Sequence, residues 1–363
     1  ILMDRTPYGA GSPNNAPRRG YQKLNDAGYI LAFQDVRGRG KSEGEFINIK
    51  PLLKKGRPGT DESTDTYDTV DFLLKTVGSN NGKVGLWGIS YPGFYAGAGA
   101  VRNHPGLAAV SPQAPVNDWF QGDDVHHNGA LFLQETFDFM LGFDVPRGQP
   151  YVNVDREGLI AYDFYLKAGA LSNYESKFLQ GRIPYWKELL ENDTYNTYWK
   201  DRALWRSFTD VKCAVLTVGG WFDKEDMYGA LQLYRAGEKQ DPGTPNFLIM
   251  GPWSHGQWAS GDAQSLADVP WGSRTGQWYQ DNVELPFFER YLKGKSDVPP
   301  ISEVTMFETG ANEWHKLDQW PPKGVKPASL HLDAGRTLSF SPTKATGKES
   351  YVSDPASPTP YTH

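Results

Sequence analysis

Hydrophobic and polar positions along this chain change period repeatedly, and each change marks an element. Tyr29 to Gln34 and Val84 to Trp87 are short apolar runs bounded by glycine or polar residues, the signature of buried strands; Cys213 to Val218 and Asn246 to Met250 repeat it. Ile1-Leu-Met3 reads as a further strand. From Asp65 to Val77 the apolar residues Tyr67, Val70, Leu74 and Val77 recur at helical spacing, with Asp61 to Thr64 ahead as capping material and Gly78 behind as the stop. Phe94 to Val101 reads as a helix of small and apolar residues, and Lys224 to Arg235 as a helix whose first turn carries Glu225 and Asp226. Acids at that position favour the helix dipole by about 0.3 to 1 kcal/mol each. Strands alternating with helices predict an α/β architecture with a parallel sheet.

Two stretches depart from that alternation. Residues 120–207 are aromatic-rich and largely helical, with Trp119 just ahead and Phe132, Phe137, Trp186, Trp199 and Trp205 within, so they predict a cap inserted into the core. After Gly294 to Pro300 the pattern turns β-like at Glu303 to Glu308, Ala328 to Leu332 and Thr337 to Phe340. The expected organisation is therefore a core over 1–119 and 208–300, a cap over 120–207 and a C-terminal β domain over 301–363.

Composition narrows the function classes. A chain of 363 residues exceeds one typical domain. Its net charge of −6 leaves no electrostatic footprint for nucleic acid, and without an apolar run of 18 residues it encodes no transmembrane helix. The lone Cys213 excludes an internal disulfide. A homo-oligomer is compatible with all of this.

Candidate chemistry centres on Gly88-Ile-Ser-Tyr-Pro-Gly93, which lies between one predicted strand and one predicted helix. A serine at such a turn projects its hydroxyl clear of both elements, while the flanking glycines allow close backbone approach. Ser90 is the candidate nucleophile. Pro92 stands where the plain G-x-S-x-G motif has glycine, and a helix's first turn tolerates it. Downstream, one predicted strand leads through Gly219-Gly-Trp-Phe222 into Asp223 and another through Gly251-Pro-Trp-Ser254 into His255. The order Ser, Asp, His, each at a strand end, is that of an α/β-hydrolase triad. His104, His315, His331 and His363 lack such a setting, adjacent His126 and His127 cannot share one face of a helix or strand, and the absence of H-E-x-x-H or a cysteine pair argues against catalytic zinc. Gly40-Lys-Ser42 ends like a phosphate loop, but Asp35 stands where that motif needs glycine, so nucleotide binding is rejected. Arg37 in this segment is expected to pair with an acid.

With tyrosine after the serine, the elbow resembles that of the X-Pro dipeptidyl-peptidase and cocaine-esterase superfamily of serine hydrolases. Arg5-Thr-Pro-Tyr8, Asp35 to Gly44 and Gly220-Trp-Phe-Asp223 agree with it. Within the superfamily the chain is most similar to the α-amino acid ester hydrolases, because Asp124, Glu225 and Asp226 match an acidic cluster that those enzymes place around a substrate ammonium. The resemblance implies an α/β-hydrolase fold with a helical cap and the start of a C-terminal β-sandwich (jelly roll), for which 301–363 is too short. It also implies strands ahead of Ile1 and a periplasmic or secreted enzyme, although the chain shows no signal peptide.

The activity implied is cleavage of esters and amides of α-amino acids with a free amino group, β-lactam antibiotics included, through an acyl-enzyme on Ser90 and without a cofactor. His255 would act as base, Asp223 would orient it, and the Tyr8 hydroxyl with the Tyr91 backbone N–H would form the oxyanion hole. Alternatives with the same triad are an X-Pro dipeptidyl-peptidase, a cocaine-esterase-like enzyme and a glutaryl acylase, the last disfavoured by like charge. A noncatalytic binding protein on a hydrolase scaffold is the alternative from another class.

Overall fold

The computed structural model describes residues 1–11, 20–54, 56–240, 242–344 and 346–360; His363 therefore lies outside the described residues. Eight strands form one sheet: β1 (Leu2–Thr6), β2 (Leu31–Asp35), β3 (Val84–Ser90), β4 (Leu107–Pro115), β5 (Ala214–Gly220), β6 (Asn246–Gly251), β7 (Val304–Glu308) and β8 (Glu313–Leu317). Their spatial order is β8-β7-β6-β5-β4-β3-β1-β2. Every pairing is parallel except β7 with β8. The central strands β4 and β5 are buried along almost their whole length, as a sheet covered on both faces requires.

One face is covered by α1 (Glu62–Thr76) and α2 (Tyr91–Ala100), where Val70, Phe94 and Ala98 meet Val84, Leu86 and Val110. On the other face Phe287, Phe288 and Leu292 of α5 (Leu285–Lys293) pack with Trp87, Ile249 and Trp258. Burying one such aromatic or leucine side chain contributes about 1.5 to 3 kcal/mol. Helix α2 is buried all round, which its glycines permit: a Cβ on Gly99 would lie 2.8 Å from the Thr66 methyl. Helix α1 begins at Glu62 rather than Asp65, capped by a reciprocal pair in which Asp61 accepts from the Thr64 N–H and the Thr64 hydroxyl accepts from the Asp61 N–H.

Residues 120–207 hold α3 (Leu133–Phe143) and helices at Ala161–Ala168, Pro184–Glu191 and Thr197–Arg202. Trp186, Trp199 and Phe137 are buried there, as core residues would be, whereas Phe139 is 38% exposed. At the other end, β7 and β8 extend the central sheet to Leu317, so the core does not stop at residue 300. Beyond them the described strands are a single hairpin, His331–Asp333 with Thr337–Ser339. Arg37 does pair with an acid, making two hydrogen bonds to the Asp65 carboxylate at 2.9 and 2.6 Å. The glycine turn beside it holds Asp35, whose carboxylate leaves no room for a Cβ at Gly40.

Candidate active site

Five parallel strands end on the same edge, and the turns and loops at those ends build one pocket. Ser90 closes β3 and caps α2 with φ 68° and ψ −128°, a conformation costly for a residue with a Cβ. The strain is held by close packing: a Cβ on Gly88 would run into the Pro92 backbone, and one on Gly93 would lie 2.6 Å from the Gln113 carbonyl oxygen. Tyr91 is the first residue of α2, so its N–H lies among those the helix leaves unpaired. Its side chain is committed elsewhere, with the hydroxyl accepting from Ile49 N–H at 2.7 Å and donating to Asn48 Oδ1 at 3.1 Å.

Strand β1 delivers Tyr8. Arg5, buried in β1, anchors this segment by donating to Gln34 Oε1 (2.8 Å), the Glu62 carbonyl (2.9 Å) and the Thr66 hydroxyl (2.8 Å). The Tyr8 ring packs against Tyr91, Phe139 and Phe143, and its hydroxyl lies within hydrogen-bonding reach of the Ser90 side chain. Although half of the Tyr8 surface is open, burial around the hydroxyl and the charges of Asp124 and Asp226 push the phenol far above its usual range. It stays a donor at any working pH.

Past β5, buried Asp223 accepts from the N–H groups of Glu225 and Asp226 with Oδ1 (2.8 and 3.0 Å) and meets His255 Nδ1 with Oδ2 at 2.9 Å. Helix α4 (Met227–Gln240) begins only at Met227, so Glu225 and Asp226 lie in the turn ahead of it rather than in its first helical turn. That displacement points them at the histidine. Glu225 Oε2 is 3.6 Å from His255 Nε2, and Asp226 Oδ2 is 3.9 Å from Nδ1.

The carboxylates dominate the electrostatics. Burial opposes a charge on His255, but the hydrogen bond and charge of Asp223, with Glu225 and Asp124, outweigh it and lift the imidazole to about 9. Asp124 is pushed up to about 6 by burial and by Glu225, despite a 2.8 Å hydrogen bond from Trp119 Nε1. Asp226 is driven well above the usual range by burial and then by Asp124, and neither of its buried oxygens accepts from an N–H or hydroxyl donor. Asp124, Glu225 and His255 share a cavity of about 500 Å³ whose lining also includes Tyr8, Ser90 and Phe139. Two other acids at its wall are already neutralised, Glu135 by Lys224 at 2.7 Å and Asp138 by Arg156. Among the described residues no group of three or more His, Cys, Asp or Glu side chains could hold a metal ion, and no helix is long and apolar enough to cross a membrane.

Residues 1–257 match the model of the X-Pro dipeptidyl-peptidase (S15) family. The chain belongs to this family. Among relatives of this S15 chain, the cocaine esterase of Rhodococcus sp. (strain MB1 Bresler) is 25% identical over 358 residues, covering 92% of the chain and 58% of the esterase. An α-amino acid ester hydrolase structure is 34% identical with a TM-score of 0.92, covering 99% of the chain and 61% of that one. An aminopeptidase from a marine sediment archaeon, Thaumarchaeota archaeon, is also 34% identical, with a TM-score of 0.90 and 60% of its own chain covered. The chain thus spans about three fifths of the length of these relatives. The likeness to these structures and the mostly parallel sheet establish the α/β-hydrolase fold.

All eight expected site residues of this S15 chain lie around the one pocket: Tyr8, Ser90, Tyr91, Asp124, Glu225 and His255 line it, and Asp223 and Asp226 stand directly behind His255. Sequence reasoning passed over Asp123, next to the chosen Asp124. Its carboxylate accepts from the N–H groups of Asn117 (3.0 Å), Asp118 (2.7 Å) and Gly229 (2.7 Å), tying the loop after β4 to α4 and so fixing where the acids meet. A Cβ at Gly229 would strike the Pro115 carbonyl, and that glycine was the available signal. Adjacent His126 and His127 diverge as expected, one buried and one exposed.

Proposed function

We propose that this protein is a serine hydrolase acting on esters, and on amides including β-lactam antibiotics, of α-amino acids whose amino group is free. Ser90 attacks the acyl carbonyl, His255 takes and returns the proton, and Asp223 holds the imidazole tautomer. The Tyr8 hydroxyl and the Tyr91 N–H receive the oxyanion. Water then releases the acyl-enzyme.

The observation that carries the substrate class is the cluster of Asp124 and Glu225 facing the pocket with Asp226 buried behind them, acids whose burial and mutual repulsion raise Asp124 and Asp226. Crowded buried acids carry charge only at a cost, and an ammonium entering the cavity would lower that cost for the acids that face it. It would also unblock the base. The Nε2 face of His255, which must accept the serine proton, is turned to Glu225 at 3.6 Å. A substrate cation competes for Glu225 and returns the imidazole toward its neutral form. The names of the two 34% identical neighbours, an α-amino acid ester hydrolase and an aminopeptidase, support the same reading.

The test is a panel of phenylglycine methyl esters in free-amino, N-acetyl and des-amino form. Replacing Asp124, Glu225 or Asp226 by the corresponding amide should lower kcat/KM for the free-amino ester by about 10- to 100-fold, the loss of one hydrogen bond to a charged group. The other two esters should change little. Equal losses on all three would reduce the acids to loop structure and move the substrate to broader esterase or peptidase chemistry.

A further inference from the structure

A second cavity, of about 330 Å³, adjoins the active-site pocket, and Tyr8 lines both. Its character is opposite. The pocket around Ser90 presents Asp124 and Glu225, whereas the neighbouring cleft presents Arg39 and Arg147, with Tyr151 and Phe143 between them. The Arg39 guanidinium sits in the corner of two nearly perpendicular rings, its Cζ 3.9 Å from the centroid of Phe46 and 4.5 Å from that of Phe143. The two rings hold the guanidinium in place at the wall of the cleft, where its planar fork can meet a planar anion.

Among the described residues, Arg39 Nε is buried with no hydrogen-bond partner. The acid that faces it, Asp144, is already engaged: Oδ1 accepts from Asn48 Nδ2 at 2.5 Å and Oδ2 from Tyr185 N–H at 2.9 Å. Arg147 reaches the cleft from the segment after α3 and is steadied by a 2.8 Å hydrogen bond to the Ser42 carbonyl. An unpaired buried guanidinium donor costs stability unless a ligand completes it. We propose that this cleft is a leaving-group subsite, in which Arg39 and Arg147 receive a carboxylate carried by the alcohol or amine that departs from Ser90.

The proposal rests on the free-amino acyl reading above and extends it, because the two cavities together fit a zwitterion. The ammonium of the acyl half enters the acidic pocket, the scissile carbonyl lies at Tyr8 and Ser90, and the leaving half runs along the Tyr8 ring to the arginines. Dipeptides and amino-acylated hydroxy acids have that charge pattern. Simple alkyl esters have only half of it.

Two phenylglycine esters separate the halves, one of glycolic acid and one of glycolamide; they share the acyl group and the ester bond and differ by a carboxylate against an amide. Wild-type enzyme should prefer the glycolate ester in kcat/KM, and Arg39→Gln should lower that value by roughly 10- to 100-fold while leaving the glycolamide ester within about twofold. Arg147→Gln, at an exposed position, should take a smaller share of the same preference. Arg39→Lys keeps the charge without the planar fork and should retain part of the preference, which provides a reading if the glutamine variant does not fold. Equal losses on both esters in these variants would make Arg39 a prop for Phe46 and Phe143, and an unchanged ratio would empty the cleft of function; either overturns the proposal. The N-acetylated glycolamide ester tests the acidic pocket alone. If it is cleaved as fast as its free-amino parent, the acyl reading fails while the arginine result still stands.

Discussion

Two carboxylates are buried in this molecule to the same degree and in opposite circumstances. Glu284, near the end of the turn into α5, accepts with Oε1 from Trp87 Nε1 (2.7 Å), Gln113 Nε2 (2.9 Å) and the Tyr279 hydroxyl (3.2 Å). Gln113 in turn accepts from Trp258 Nε1 at 2.7 Å, so the network reaches the loop three residues past His255. Neither oxygen of Asp226 accepts from an N–H or hydroxyl donor, and carboxylates lie on several sides, one of them, Asp124, sharing a side-chain hydrogen bond with it. The first arrangement is closed and stiffens the floor of the site. The second is open, and its cost persists until a cation arrives. Burial alone does not tell the two apart; the count of donors does.

The sharpest break in that comparison lies at the reacting atoms themselves. Ser90→Ala and His255→Ala should each lower kcat by about 10⁴ or more, because triad members act as a unit. Ser90→Ala should leave the thermal midpoint unchanged, since its side chain lines a cavity rather than fills the core, whereas His255→Ala strands the buried Asp223 carboxylate and should lower it. Tyr8→Phe should cost about 10² to 10³ in kcat with ground-state binding nearly unchanged. Turnover near wild type in the serine or histidine variant would dissolve the mechanism.

Stability distinguishes the two carboxylates directly. Glu284→Leu strands three donors and should cost about 3 to 5 kcal/mol in denaturant unfolding. Asp226→Asn should act in the other direction, by about 1 kcal/mol, at the expense of activity toward free-amino substrates. The sign comes from linkage. Asp226 titrates higher in the folded protein than in the unfolded chain, so its charge opposes folding only above the unfolded value of about 3.9. At about pH 3.5, below that value, the variant and wild type should therefore unfold alike, and the advantage of the variant should grow as pH rises. A destabilised Asp226→Asn at about pH 8 would mean that unseen donors already satisfy the acid.

Legibility in the sequence divides along the same line. Strand ends, turn glycines and the order Ser90, Asp223, His255 are local patterns, and a parallel sheet brings strand ends to one edge whatever happens between them. Asp123 and Glu284 were not legible because their partners are Gly229, Trp87 and Tyr279, which only the folded chain brings within reach. The start of α4 was misread for a related reason. Acids suit a first helical turn, but here Glu225 and Asp226 lie in the turn that Asp223 caps through their N–H groups, and regular helix begins one turn later, at Met227. The C-terminal boundary moved because periodicity identifies a strand without naming its sheet, and β7 pairs with β6.

The smallest effect concerns protons and probes how the open cluster talks to its histidine. Against the pull of burial, its carboxylates lift His255 to about 9, whereas a free α-amino group titrates near about 7.7 to 8. The productive complex needs the imidazole neutral and the amine charged, the reverse of the ionisation that prevails between those values. kcat/KM, which reports the free species, should therefore form a low bell with limbs near about pH 8 and about pH 9 for a free-amino ester. kcat reports the complex, in which the bound ammonium offsets the carboxylates, so its acid limb should fall from about 9 toward the ordinary histidine value. A des-amino ester brings no cation, and its kcat limb should stay near about 9. Glu225→Gln removes one of the charges that raise His255 and should shift that des-amino limb acidward by about one pH unit, equivalent to about 1.4 kcal/mol. If wild-type enzyme turns over the des-amino ester with a limb already near about 6.5, the cluster does not control the base and its acids serve binding alone.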